Sequence, residues 1–309
     1  MTEQQPAPPL SFNQRVIDEF RANGGTVGGM FEGATLLLLT TAGARTGKPH
    51  TNPAVYLRGE HRILIFASNA GRPKNPDWHH NLLADPQVTI EIGEEGQVRT
   101  YAARAVPLDG EERDRFYEIQ AQRDPAFGEY QVKTSRTIPV IALYLLDLAA
   151  DLERNRAIGE QLVRHHNELR RELGRIRSEV NDLLAGRPVQ SGMERPVPSL
   201  HQQLLGRCVT FCNGLRLHHI REDGAFSAFE TRFPGLAPAL DRLRHEHRTV
   251  AKTLTDLQEL LGRLASNGQA HEVGAVRTEL EQLTSGLEEH FTYEEQQLLP
   301  ALYTAPSPQ

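Results

Sequence analysis

Two stretches of this chain set a histidine and a glutamate four residues apart inside an otherwise apolar helical pattern. They are "LRLHHIREDGAF", with His218 and Glu222, and "LEEHFTYEEQQLLP", with His290 and Glu294. Residues four apart are separated by about 40° around a helix, so each pair shares one face. Phe211, Leu215 and Phe226 flank His218 at the offsets where Leu283, Leu287 and Leu298 flank His290, which makes that face the buried one. Two further histidines sit in matching frames: His166 among Leu162, Leu169 and Leu173, and His247 among Leu243, Val250 and Leu254. A buried polar group without a partner costs ~1–3 kcal/mol, and an ionised carboxylate costs more. Six together would absorb much of a domain's ~5–15 kcal/mol of stability. A bound cation removes that cost directly.

Four imidazoles and two carboxylates, with no thiolate, suit iron or manganese better than a structural zinc. Carboxylates on opposing helices can bridge a pair of metals. His165 competes with His166, and His219 competes with His218. The offset match to His247 favours His166, and only His218 places Glu222 where His290 places Glu294. His245 falls on the opposite face from His247 and is expected in solvent. Glu295 and Asp223, one residue after each motif glutamate, are positioned to orient the imidazoles.

The elements that must hold these side chains are helical. From about Asp147 apolar residues recur at steps of three and four through "RAIGEQLVRHHNELRRELGRIRSEVNDLL", Leu200 to Phe229, Leu236 to Leu264 and His271 to Leu302. Gly- and Pro-rich connections, "AGRPVQSGMERPVPS", "FPGLAP" and "SNGQAHEVG", separate them, which predicts an antiparallel all-α four-helix bundle. Before Leu146 the pattern differs. A short helix over Phe12 to Asn23 precedes "ATLLLLTT", "HRILIFAS", "QVTIEIG" and "VRTYAARAVPL", which read as strands. A charged helix, "DGEERDRFYEIQAQ", and a last strand in "TIPVIALYLLDL" follow. The expected division is 1–147 and 148–309.

At 309 residues, 39% hydrophobic and 24% charged, the chain has room for two cores. A net charge of −6 argues against a nucleic-acid partner. Two cysteines, Cys208 and Cys212, are too few for a disulfide framework. "MTEQQPAPPLSF" lacks the features of a signal peptide, and no apolar run reaches 18 residues. A cytoplasmic protein without membrane association is expected.

The region from about Ile158 to Leu302 resembles the hemerythrin-like (HHE cation-binding) domain. The resemblance implies a non-haem di-iron centre, two iron ions held by His166, His218, Glu222, His247, His290 and Glu294. It also exposes a departure. Oxygen-carrying hemerythrins have a second histidine one turn after the first on the third helix, and here that position is Ala251. One iron is therefore expected to keep an open or water-filled position, which favours reactivity over simple oxygen carriage.

In the first half, "TTAGARTGKPHTNP" gathers Arg45, Thr46, Lys48 and His50 beside backbone amides, a setting for a phosphate or carboxylate. "ASNAGRPKNPDWHHNLLADPQVTIEIG" holds the one tryptophan, Trp78, near Lys74 and Asn75. With "LLLLTTAGARTGKPHTNPAVYL" and "EYQVKTSRTIPV", these stretches resemble the deazaflavin-dependent nitroreductase family. The resemblance implies a split β-barrel of the flavin-reductase type (α+β) and binding of reduced coenzyme F420, with FMN the less favoured cofactor. It places the F420 phosphate and acidic tail on Arg45, Thr46, Lys48 and His50. It places the deazaflavin ring among Tyr56, Ser68, Asn69, Ala70, Lys74, Asn75 and Trp78, with Tyr130 over the substrate side. "RDPAFGEYQVKTS" keeps only Tyr130 where the nitro-drug reductases carry several aromatics, so nitro-drug reduction is not implied.

Together the two halves imply an F420H2-dependent oxidoreductase acting on a small molecule. Its di-iron centre would activate or reduce dioxygen, peroxide or nitric oxide, or oxidise an organic substrate, with Tyr130, Glu222 and Glu294 nearest the chemistry. The alternatives are a redox-, oxygen- or iron-sensing bundle regulating the reductase, and an iron-binding bundle beside an independent reductase. Split barrels often pair, so a homodimer is expected.

Overall fold

The computed structural model describes residues 11–59, 61–148, 151–184, 200–267 and 270–304. The predicted connection at 185–199 and the first ten residues of the chain lie outside them. The chain divides into two compact units. One comprises the residues through Leu146 with Ile220–Ser227, and the other Asp147–His219 with the chain from Ala228 onward. Ile220–Ser227 is continuous with a helix of the second unit and is described with it.

Six strands form the first unit: β1 (Leu36–Ala42), β2 (Pro49–Arg58), β3 (Ile63–Phe66), β4 (Gln87–Glu94), β5 (Gln97–Leu108) and β6 (Val140–Leu145). All pairings are antiparallel, and they close into a barrel in the order β1-β2-β3-β6-β5-β4. The four consecutive leucines of β1 do not alternate with polar residues because both faces of the strand are covered. Leu37 and Leu39 point into the barrel with Ile65, Ile90 and Ile141, while Leu36 and Leu38 meet Val16, Ile17 and Phe20 of helix α1 (Phe12–Ala22). Ser11 caps that helix by accepting from the backbone N–H of Gln14.

Strand β3 repeats the arrangement. Ile63 and Ile65 face inward, and Leu64 and Phe66 pack on Tyr117 and Phe127 outside. Those two aromatics come from α3 (Gly110–Arg123) and α4 (Pro125–Val132). Helix α2 (Asp77–Ala84) sends Trp78 and Leu82 into the barrel core.

Three elements were not marked as elements by the sequence pattern: β2, α2 and α4. Strand β2 carries Pro49 and Pro53, which disfavour a central strand. Its register shows why they are tolerated: β2 pairs with β1 from Pro49 to Val55 but with β3 only from Tyr56 to Arg58. The prolines thus sit where the strand has a neighbour on one side alone. Helix α4 begins at Asp124–Pro125, with the Asp124 carboxylate accepting from the backbone N–H of Ala126.

The second unit contains four long helices, α5 (Leu152–Leu184), α6 (Leu200–Arg232), α7 (Ala237–Asn267) and α8 (Ala270–Tyr303). Helix α8 packs on both α5 and α7. The predicted loop "SNGQAHEVG" is mostly helical, since α7 runs on to Asn267 and α8 begins at Ala270. Leu173, Ile176, Phe211, Leu215, Leu257, Leu261, Val276 and Leu283 represent all four helices in one apolar core. Each fully buried leucine or phenylalanine contributes about 1.5–3 kcal/mol. None of the described helices is long and apolar enough to cross a membrane.

Candidate metal centre and cofactor loop

Seven side chains of metal-ligating type gather in the bundle as two groups with one member in common. His166, His218, Glu222 and Glu294 form one group, and His219, Glu222, His247 and His290 form the other. Within each group the candidate ligand atoms all lie within 4.8 Å of one another, and all seven residues are buried. Donors bound ~2 Å from one ion stand at most ~4 Å apart, so each group needs only a small contraction to close on a cation. The donor set is imidazole and carboxylate alone, which suits iron or manganese. Glu294 is fully buried, neither of its carboxylate oxygens makes a hydrogen bond, and neither does Nε2 of His290. These donors fit a metal pair.

Helix geometry explains why Glu222 is shared. His218 and His219 point about 100° apart around α6, and Glu222 falls between them, about 40° from one and 60° from the other. Each histidine therefore leans into a different group, with the carboxylate on the line between. On α8 the same angles put Glu294 between His290 and Phe291. Its Oε2 is 3.4 Å from His166 Nε2 and 4.0 Å from His290 Nε2.

The geometry places the residues of both ambiguities of the sequence differently. His166 is fully buried within a group, whereas the His165 side chain is 43% exposed and lies 3.6 Å from Glu168. His218 and His219 are not alternatives, because both are buried and each joins its own group. A single apolar stripe leaves no room for two adjacent residues, but the α6 surface faces two groups at once. His245 is exposed, as expected.

Carboxylates outside the groups orient two of the imidazoles. Glu295 Oε1 is 2.8 Å from His166 Nδ1 and is itself held by Arg170 at 3.1 Å. Glu246 Oε2 is 2.8 Å from His290 Nδ1, and its other oxygen accepts from Arg242 Nε at 2.7 Å. Burial raises the Glu246 carboxyl, but the hydrogen bonds from His290 and Arg242 outweigh it and hold the group below the usual carboxylate range. Sequence reasoning named Glu295 for this role and missed Glu246, whose only signal was its place beside His247.

In the barrel the residues of the two N-terminal motifs are tied into one assembly. "AGARTGK" is the turn joining β1 to β2, closed by Gly43 N–H to the Lys48 carbonyl at 2.8 Å, and it leaves Arg45, Thr46, Lys48 and His50 exposed. Asn81 of α2 braces it, accepting from Ala44 N–H at 3.1 Å and donating to Thr41 Oγ1 at 3.1 Å. The segment before α2 has an unusual backbone: Asn69, Ala70 and Gly71 take φ values of 48°, 53° and 76°. A side chain at Gly71 would meet the Tyr130 carbonyl oxygen and Lys133 Cβ at 2.9 Å, so α4 seats directly against this turn.

Arg136 fixes the remainder of that segment. Its guanidinium donates to the carbonyls of Ser68 (2.7 Å) and Arg72 (3.0 Å) and to Asn75 Oδ1 (2.5 Å). Burial holds Arg136 below its ordinary pKa, and burial likewise lowers that of His79, helped by His80 and Arg136. Ser68, Asn69 and Asn75 are half-buried, and Ala70 and Lys74 are exposed. Tyr56 and Trp78 lie in the barrel core. Tyr130 is half-buried against Phe127, with ring centroids 5.4 Å apart. Asn81 and Arg136 lie within the quoted stretches, but their roles exist only once distant segments meet.

A family model described as F420H(2)-dependent quinone reductase matches residues 13–144, and one described as Hemerythrin HHE cation binding domain matches residues 157–302. An F420H(2)-dependent quinone reductase of Mycobacterium tuberculosis is 36% identical over 128 residues, spanning 40% of this chain and 83% of that protein. A solved F420-H2 dependent reductase is 33% identical, covering 35% of this chain and 93% of its own, with a TM-score of 0.32. Another solved structure, described as a domain-swapped dimer, is 31% identical, covering 42% of this chain and 92% of its own, with a TM-score of 0.34.

Proposed function

The chain belongs to the F420H(2)-dependent quinone reductase family and joins to that domain a hemerythrin HHE cation-binding domain; from this premise we propose a two-centre oxidoreductase. Arg45, Thr46, Lys48 and His50 hold the phosphate and acidic tail of reduced F420 through charge-assisted hydrogen bonds. Ser68, Asn69, Ala70, Lys74 and Asn75 bound its ring, backed by Tyr56 and Trp78, and Tyr130 covers the acceptor side. In the bundle His166, His218, Glu222, His247, His290 and Glu294 hold two iron ions. When bound, the deazaflavin supplies a hydride and the iron pair supplies one-electron chemistry toward dioxygen, peroxide or nitric oxide. Arg136 and Asn81 keep the two cofactor-binding segments in place, and Glu295 and Glu246 fix the imidazole orientations.

The relatives' quinone chemistry suggests the acceptor class. A quinone takes up a hydride and a proton as a pair and releases electrons singly. An acceptor of that class can therefore serve a two-electron donor and a one-electron metal centre in turn. The observation that carries the reading is the convergence of two buried donor groups on one carboxylate, Glu222.

Stopped-flow mixing of F420H2-reduced, iron-loaded protein with dioxygen and a soluble quinone tests it. Oxygen-linked F420H2 oxidation is expected, and it should disappear in His290→Ala while anaerobic quinone reduction persists. Unchanged oxygen-linked turnover after iron removal would show that the two centres are not coupled. Titration should also give tighter binding of F420 than of FMN.

A further inference from the structure

The residue after the histidine differs between the two motifs: His219 in α6 and Phe291 in α8. The two rings occupy equivalent places. Phe291 stacks on His166 with centroids 4.2 Å apart and 19° between planes, and His219 stacks on His247 at 4.2 Å and 12°. Each also stands edge-on to the motif histidine beside its stacking partner. Phe291 meets His218 at 6.1 Å and 70°, and His219 meets His290 at 5.2 Å and 84°. The bundle is thus an approximate duplicate in which one half uses a phenyl ring as a shelf and the other an imidazole.

A phenyl ring meets the steric demand of that position, as Phe291 demonstrates. An imidazole there adds one thing a shelf does not need, a ring nitrogen within 4.8 Å of the donor atoms of Glu222, His247 and His290. We infer that His219 is a seventh metal ligand and that it makes the two metal positions unequal. This rests on the reading of the bundle as a two-metal site. One position takes three imidazoles and the shared carboxylate. The other takes two imidazoles and two carboxylates, because Phe291 offers no donor. The imidazole that Ala251 does not supply from α7 comes instead from α6, so the open position expected from Ala251 is filled. The carboxylate-rich position is the harder of the two and the better one for manganese, and the imidazole-rich position favours iron or zinc.

His219→Phe is the decisive variant, because it copies the opposite half and keeps the stack while removing the donor. His219→Gln serves as a second variant, and circular dichroism of the metal-free proteins checks that both fold. Wild-type protein loaded with 57Fe should bind about two irons per chain and show two Mössbauer doublets of equal area. Both variants should weaken one of the two binding steps at least about tenfold, the loss typical of deleting a single interaction with a metal site, and should alter one doublet. If His219→Phe binds two irons with unchanged affinity and spectrum, His219 is only a shelf and the proposal is overturned. Wild-type protein that takes up no metal would overturn the two-metal reading itself, a distinguishable failure.

Discussion

Glu246 on α7 holds Nδ1 of His290 on α8 at 2.8 Å, and the contact is doubled elsewhere in the bundle by Glu295 and His166. In both cases an arginine, Arg242 or Arg170, grips the carboxylate from the solvent side. A carboxylate on Nδ1 fixes the tautomer, leaves Nε2 as the donor atom and makes it more basic. Glu246→Ala and Glu295→Ala are each expected to lower metal affinity about 10–100-fold while the apo bundle stays folded. Competition with a chromophoric chelator measures the loss, and unchanged affinity would show the contacts to be incidental.

Arg136 joins Ser68, Arg72 and Asn75 through three bonds from one planar group. Arg136→Ala should cost about 1–3 kcal/mol of barrel stability and reduce F420 affinity at least about tenfold. Arg136→Lys should recover little of either, since an ammonium cannot span three acceptors in that fork. Recovery by lysine in a binding titration would mean that charge alone matters there.

The barrel should respond to pH through a half-buried carboxylate–phenol pair. Tyr101 donates to Glu94 at 2.5 Å, and Arg58 lies 2.8 Å from the other oxygen. Burial raises the Glu94 carboxyl, but these bonds overcome it and bring the group below its ordinary value. Burial, with Glu94 beside it, pushes Tyr101 up to about 12. A depressed carboxyl stabilises the fold above its unfolded pKa, and that share is lost as pH falls through the folded value. Denaturation followed by Trp78 fluorescence should find Glu94→Gln weaker than wild type at neutral pH, with the gap closing as pH falls below the ordinary carboxylate range. The Tyr101 share is present below its unfolded pKa and is lost as pH rises through about 12.

The two cysteines should be silent in the native bundle. Burial pushes Cys208 up to about 12 and Cys212 to about 11. Thiolate at Cys208 is then roughly a thousandfold scarcer near neutrality than for a free cysteine. A chromogenic disulfide reagent should label both on unfolding and neither before it, so labelling rate reports opening of the bundle. Fast labelling of native protein would contradict the burial.

How much of this was legible follows from the range of each signal. The burial of His166, His218, His247 and His290 could be read because histidine and apolar neighbour recur at fixed helical offsets. That of His219 could not, since one stripe predicts one inward direction and α6 has two. Helix α4 carries a capping signal at Asp124–Pro125, but its eight residues, with Gly128 among them, are too short a run to show a helical period. Strand β2 was hidden by Pro49 and Pro53, which offend only if both strand edges are paired. Glu246, Asn81 and Arg136 act across 44, 37 and 61–68 residues, and no local pattern encodes such a meeting.

The paired ring stacks, Phe291 on His166 and His219 on His247, set two imidazoles before any ion arrives. Loading should then resemble filling a mould more than folding around a template. Calorimetry is expected to register little change in heat capacity on iron uptake, because almost no apolar surface is newly removed from water. A large negative change would mean that the helices close only around the ion.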